Sequence, residues 1–187
     1  MVFKVERILP FAKQLLKSII EPGETVIDAT AGNGYDTLFL AECVGQSGHV
    51  LSFDIQEDAI KSTQNKLTEA NIKHVLLIQD GHENVLQYID TTISAAIFNL
   101  GYLPGSNQSV TTQGQTTWQA VTSILTRLKK KGLIVLVIYH GHEEGKIERD
   151  YLQQCLTELN PKTTQVLQYR FLNRPTSPFI IAIEKTK

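Results

Sequence analysis

Ile8, Phe11, Ala12, Leu15, Leu16 and Ile19 recur at the three- and four-residue spacing of one helix face, and the run stops at Pro22-Gly23. Beyond it, short apolar runs alternate with longer amphipathic stretches. The runs predict strands over residues 25–29, 50–53, 75–78, 93–98 and 133–139. Helices are predicted over residues 36–44, on the face of Ala59, Ile60, Thr63 and Leu67, on Trp118, Val121, Leu125 and Leu128, and on Ile147, Tyr151, Leu152, Cys155 and Leu159. Residues 164–171 and 179–183 read as a last pair of strands. The loop between them carries Asn173-Arg174-Pro175-Thr176-Ser177-Pro178 and is short enough for an antiparallel hairpin. Strands alternating with helices give a parallel sheet covered on both faces. The expectation is one α/β domain over residues 1–187, with a doubly wound, mostly parallel, seven-stranded sheet and an antiparallel C-terminal hairpin.

Composition adds bounds rather than direction. With 187 residues, 42% hydrophobic and 20% charged, the chain can bury one sizeable core, which argues against disorder. No apolar run reaches membrane-spanning length, and the amino terminus lacks a basic-then-apolar leader pattern, so a cytoplasmic protein with no membrane partner is expected. Cys43 and Cys155 lie far apart inside helical patterns and read as reduced thiols rather than a disulfide or metal pair. The net charge of −1 provides no global basic field. Lys129, Lys130 and Lys131 read as a solvated helix end favoured by the helix dipole, more than as a nucleic-acid contact.

Chemistry enters at Asp28-Ala29-Thr30-Ala31-Gly32-Asn33-Gly34-Tyr35-Asp36, where a buried strand runs into a glycine loop that opens a helix. The third glycine of the dinucleotide fingerprint is missing. A dinucleotide sets its pyrophosphate against bare backbone at the helix start. S-adenosylmethionine (AdoMet) has no phosphate and needs a tight turn with acceptors for a cationic ammonium and sulfonium. Asp28, Gly32, Asn33, Gly34 and Asp36 offer that set. Asp54, ending the next strand, can accept both ribose hydroxyls with Gln56 beside it, and Asp80-Gly81-His82 after the third strand can meet the adenine edge. Each has a plainer alternative: Asp28 can cap the loop, and Asp80-Gly81 can be an ordinary turn. With the hairpin finish, the pattern fits a class I methyltransferase, a Rossmann-like fold, better than a dehydrogenase.

The acceptor side is read from Asn99-Leu100-Gly101-Tyr102-Leu103-Pro104-Gly105, after the fourth strand. Asn99 can hold an amine through its side-chain oxygen and Tyr102 can stack on a planar base, a partial version of the Asn-Pro-Pro-Tyr arrangement of amino-group methyltransferases. An ordinary turn with Tyr102 in the core is the alternative. His140 and His142, in Tyr139-His140-Gly141-His142-Glu143-Glu144 after the fifth strand, are candidate proton acceptors, because an ammonium must lose a proton before it can attack. Ligands crowded on one short turn make a metal site the poorer reading, and Glu143 with Glu144 fits the start of a helix. Neither cysteine falls at a strand's carboxyl edge, which disfavours carbon methylation through a covalent adduct.

Asp28-Ala29-Thr30-Ala31-Gly32-Asn33-Gly34, Asn99 to Gly105, Thr111-Thr112 with Thr116-Thr117, and Gly141-His142-Glu143-Glu144-Gly145 closely resemble small bacterial AdoMet-dependent methyltransferases. These were long filed as rRNA methylases and are now understood as tRNA 5-aminomethyl-2-thiouridine methyltransferases. The resemblance covers essentially the whole chain; Tyr35 stands where relatives often carry histidine. It implies AdoMet as methyl donor and the anticodon stem-loop of tRNA as partner. The implied reaction converts a wobble 5-aminomethyl-(2-thio)uridine to its 5-methylaminomethyl form. Arg170, Asn173 and Arg174 are then the expected phosphate contacts, with Lys4, Arg7 and Lys13 as further candidates, and a homodimer could combine two such patches. Two alternatives stay open: an AdoMet enzyme acting on rRNA, a metabolite amine or a protein side chain, and a non-catalytic AdoMet- or RNA-binding module.

Overall fold

The computed structural model describes residues 5–101 and 111–187. Helix α1 (Ile8–Lys17) precedes β1 (Thr25–Asp28), α2 (Tyr35–Val44), β2 (His49–Phe53), α3 (Glu57–Glu69), β3 (Val75–Ile78) and a short 3-10 helix at His82–Gln87. There follow β4 (Ile93–Leu100), α4 (Gly114–Arg127), β5 (Leu128–Ile138), α5 (Glu143–Thr157), β6 (Thr164–Tyr169) and β7 (Phe179–Lys185). The strands form one seven-stranded sheet in the order β3-β2-β1-β4-β5-β7-β6, and β7 runs antiparallel to both β5 and β6. The expected sheet, mostly parallel with an antiparallel C-terminal pair, is therefore the observed one.

Two cores lie on opposite faces of the sheet. Ile8, Ala12 and Leu16 of α1 join Leu40, Ala41 and Val44 of α2 on one face. Ala120, Val121 and Ile124 of α4 join Leu152 and Leu156 of α5 on the other. The central strands β4 and β5 are buried on both sides, which explains why they read as continuous rather than alternating apolar runs. The sequence of strands reverses direction between β1 and β4, and the crevice at such a reversal opens at the carboxyl ends of the strands.

Three elements depart from the expectation. Strand β4 continues through Asn99 and Leu100, which pair with Val137 and Ile138, so Asn99 sits inside a rigid strand rather than on a following turn. Leu128 does not end α4 but starts β5, its backbone extended at φ −67°, ψ 133°. The lysines read as a helix end thus lie in β5, where Lys129 pairs with Glu24 and donates to the Ile19 carbonyl at 3.3 Å. The third departure is the buried face of α5, made by Gly145, Glu148, Leu152 and Leu156, whereas Ile147 and Tyr151 are exposed. An acid inside the apolar stripe disguised its register.

Candidate active site

The site is built at the carboxyl ends of β1, β2, β4 and β5. Leaving β1, the chain turns through Gly34, whose φ of +80° puts it in the left-handed region. A Cβ there would approach Thr63 Cα of α3 to 2.9 Å, so a side chain is excluded by space as well as by backbone. Asp54, at the end of β2, accepts the Gly32 N–H at 2.9 Å on one oxygen and the Gln56 N–H at 2.9 Å on the other. It is half-buried and forms no ion pair among the described residues, so lone pairs remain for further donors. Thr63 donates to the Gly32 carbonyl at 3.2 Å, and Ser62 reaches Asn33 at 3.5 Å. A bare turn beside a two-oxygen acceptor suits the ribose of a nucleoside and fits the cofactor the sequence suggests.

Asp28 lies beneath this loop, fully buried. Its carboxylate accepts the Thr30 N–H at 3.1 Å and the Thr37 hydroxyl at 2.6 Å, and Thr37 in turn meets Ser52 at 2.8 Å. Burial, reinforced by the charges of Asp36 and Asp54, pushes its pKa up to about 7. In this position it braces the loop from below. Asp80 accepts from Gly81 N–H at 2.7 Å, Asn84 at 2.9 Å and Tyr88 at 2.8 Å, and the Asn84 and Tyr88 bonds hold its carboxyl below the usual range. Most of its acceptor capacity thus goes to a local turn. His82 is buried against Phe98, with Nδ1 3.0 Å from the Ala29 carbonyl, and burial pulls its pKa down. Tyr35 is exposed, with Lys66 over its ring.

The raised pKa of Asp28 carries a pH dependence. A group whose pKa is higher folded than unfolded keeps its proton only in the native state between about 4 and 7, so stability falls as pH rises through that window. The ceiling is about 4 kcal/mol, from 1.36 kcal/mol for each pKa unit between 3.8 and 7. In Asp28→Asn the amide oxygen can still accept from Thr30 while its NH₂ donates to Thr37. Urea unfolding at pH 5 and pH 8 should show the variant gaining on the native protein at the higher pH. An equal difference at both values would remove the burial account.

On the acceptor side, Asn99 donates from Nδ2 to Asp36 Oδ2 at 2.7 Å, and its backbone N–H donates to Thr30 Oγ1 at 2.8 Å. The other oxygen of Asp36 pairs with Lys13 of α1 at 3.0 Å. An ionised carboxylate can only accept, so the Asn99 NH₂ must face Asp36 and its Oδ1 must point elsewhere. Lys13 and Asp36 thereby orient Asn99, which spacing alone did not reveal. Lys13 also lies over the Phe39 ring at 5.0 Å. Tyr139, at the end of β5, is part-exposed, and burial and the Asp36 charge raise its pKa.

His140 is buried against Phe179, and its Nε2 donates to the Ser177 carbonyl at 3.1 Å. Burial, helped by Arg149, lowers its pKa, so the ring acts as a neutral tie between β5 and the β6–β7 loop. That loop carries Arg170, Asn173 and Arg174, all exposed, with Arg170 over the Phe179 ring and Arg174 over the Phe171 ring. His142 precedes α5 at the same edge, and within α5 burial pushes the Glu148 carboxyl above its ordinary pKa, against the hydrogen bonds from Thr112 and Thr117 and the nearby His142. Tyr102 and Lys4 lie outside the described residues. Cys43 and Cys155 are free thiols, no group of three or more metal-binding side chains clusters among the described residues, and no helix among them is long and apolar enough to cross a membrane.

A β3-β2-β1-β4-β5-β7-β6 sheet with an antiparallel β7 and a glycine loop facing an acidic strand end defines a class I AdoMet-dependent methyltransferase. A family model described as "Putative rRNA methylase" matches residues 50–185, and the chain belongs to that family. A model for protein-L-isoaspartate(D-aspartate) O-methyltransferase matches residues 6–93, the half that carries the glycine loop. A putative rRNA-methylase of Clostridium thermocellum superposes with TM-score 0.96 at 39% identity, over 98% of this chain and 100% of that one. A putative methyltransferase of Streptococcus mutans in complex with SAH superposes with TM-score 0.90 at 39% identity, over 97% of this chain and 99% of that one. A chloroplastic tRNA (mnm(5)s(2)U34)-methyltransferase of Arabidopsis thaliana is 36% identical over 180 residues, 90% of this chain. The chain spans 66% of that relative's length.

Proposed function

We propose that the protein transfers a methyl group from AdoMet to the amine of 5-aminomethyl-(2-thio)uridine at the wobble position of tRNA, giving the 5-methylaminomethyl nucleoside. One observation carries this reading: the Asn99 amide is turned so that its oxygen is left to accept, as an N–H of an incoming amine requires. The name of the Arabidopsis relative supports the choice of tRNA. AdoMet supplies, when bound, a methyl group already activated on a sulfonium, so the protein's work is mainly positioning.

Asn99 Oδ1 accepts one N–H of the neutral amine and directs the nitrogen lone pair toward the methyl carbon. The new N–C bond forms as the S–C bond breaks, and the nitrogen then sheds a proton. His142, at the same strand edge, is the group we assign to proton removal. Asp54, Gln56 and the Gly32–Gly34 turn hold the nucleoside end of the donor. Arg170, Asn173 and Arg174 form an exposed basic rim beside the site and meet RNA phosphates. A wobble base is already single-stranded and reaches the pocket with little unpairing cost, so no extensive basic face is needed. Within this proposal the protein acts in the cytoplasm. The exposed, uncharged β6 strand, with Val166 and Leu167 uncovered, is the surface on which a homodimer would pair.

The decisive experiment is labelled methyl transfer from AdoMet to total RNA of a strain lacking the protein, followed by nucleoside mass spectrometry. Label in tRNA as a 5-methylaminomethyl uridine is the expected result. Label in rRNA, the acceptor named by the family description, would replace tRNA in the reading. Absence of label with AdoMet bound would shift the acceptor to a metabolite or protein amine, or make the protein a binding module.

A further inference from the structure

Glu148 is nearly fully buried in α5 and faces no lysine or arginine at ion-pair distance among the described residues. Its two oxygens accept the Thr112 hydroxyl at 2.6 Å and the Thr117 hydroxyl at 2.8 Å. A site that only needed filling would be met by leucine without the desolvation cost of a carboxylate. What the carboxylate holds is therefore informative.

Thr112 is held on both sides. Its Oγ1 accepts the Gly101 N–H at 2.9 Å while donating to Glu148, and its own N–H donates to the Gly101 carbonyl at 3.1 Å. Gly101 directly follows the β4 segment that carries Asn99. The Tyr139 N–H donates to the Leu100 carbonyl at 3.1 Å, so the strand pairing with β5 runs up to this point. Helix α5 can bring Glu148 here because Gly145, one turn earlier on the same face, has no Cβ; one built there would meet His142 Cε1 at 2.8 Å and press into the Tyr139 carbonyl. The result is a clasp, Gly101–Thr112–Glu148, which fixes where the chain leaves the sheet and where it returns.

We propose that Glu148 is a positioning residue for methyl transfer, holding the Asn99 end of β4 in place through Thr112. The inference rests on the assignment of Asn99 to the acceptor amine. Thr117 binds the other carboxylate oxygen from α4 and hydrogen-bonds to neither Gly101 nor Asn99, so it separates positioning from packing.

The test compares Thr112→Val, Thr112→Ser, Glu148→Leu and Thr117→Val. The readouts are kcat and KM on tRNA bearing 5-aminomethyl-2-thiouridine, AdoMet affinity by calorimetry, and amide exchange at Gly101 and Thr112 with no acceptor present. Thr112→Val and Glu148→Leu should lose about tenfold or more in kcat, with AdoMet affinity held within about twofold. Thr112→Ser, which keeps the hydroxyl, should restore kcat, and Thr117→Val should stay within about twofold of the native rate. Equal losses in Thr112→Val and Thr117→Val, or full activity in Thr112→Val, overturn the proposal.

Exchange separates this failure from that of the acceptor reading. If the native protein methylates no tRNA, that reading falls. Exchange at Gly101 and Thr112 that quickens in Thr112→Val and Glu148→Leu but not in Thr117→Val still supports the clasp, and unchanged exchange removes it.

Discussion

Replacing Asn99 with alanine is expected to lower kcat about 100-fold or more while leaving AdoMet affinity within about twofold, the pattern of an interaction that acts on the reacting acceptor. The alanine leaves the backbone bond to Thr30 and the β4–β5 pairing intact, so the fold should be retained. It removes the side-chain oxygen proposed to accept the amine N–H. Asn99→Asp tests the orientation: its carboxylate would face Asp36 at the 2.7 Å now spanned by an N–H bond, and two like charges there cannot both stay ionised. That variant should be more active at low pH than at high pH relative to the native enzyme. Steady-state kinetics with calorimetry checks both. Normal turnover in Asn99→Ala would remove the acceptor site from this strand.

Asp54→Ala is expected to raise the AdoMet dissociation constant about 100-fold, near 3 kcal/mol, as for two charge-assisted hydrogen bonds to ribose. Part of that loss comes from the protein. Gly32 and Gln56 lose the acceptor that fixes the glycine turn, so the free site becomes less preorganised. Asp54→Asn keeps one acceptor oxygen and should lose less. Isothermal calorimetry of the three proteins checks the order, and unchanged affinity in Asp54→Ala would exclude Asp54 from the site.

Much of this is legible in the chain itself. The strand runs, the antiparallel finish and the glycine turn with Asp54 depend on local periodicity and on backbone freedom at fixed spacing, which a sequence displays directly. What remained hidden depends on partners distant in sequence. Asp36 could be placed near the cofactor loop, but only the folded sheet shows it gripping Asn99, with Lys13 behind it. Glu148 was missed because an acid on a helix reads as solvent-facing, and that single residue also shifted the apparent face of α5. The start of β5 was misplaced because Arg127 to Lys131 carries the charge of a helix end, whereas Lys129 is neutralised by Glu24 across the sheet edge. The paired threonines at 111–112 and 116–117 were noticed as a resemblance, but nothing in their spacing revealed that two of them converge on one carboxylate.

The Lys13–Asp36 pair ties the first helix to Asn99, the residue proposed to receive the acceptor amine, although α1 packs on the sheet face opposite α4 and α5. On that assignment, an affinity tag that tilts α1 is expected to mimic an active-site lesion. It would spoil the aim of Asn99 while leaving the glycine turn and Asp54 untouched, and would be recognised by slow turnover with normal cofactor binding.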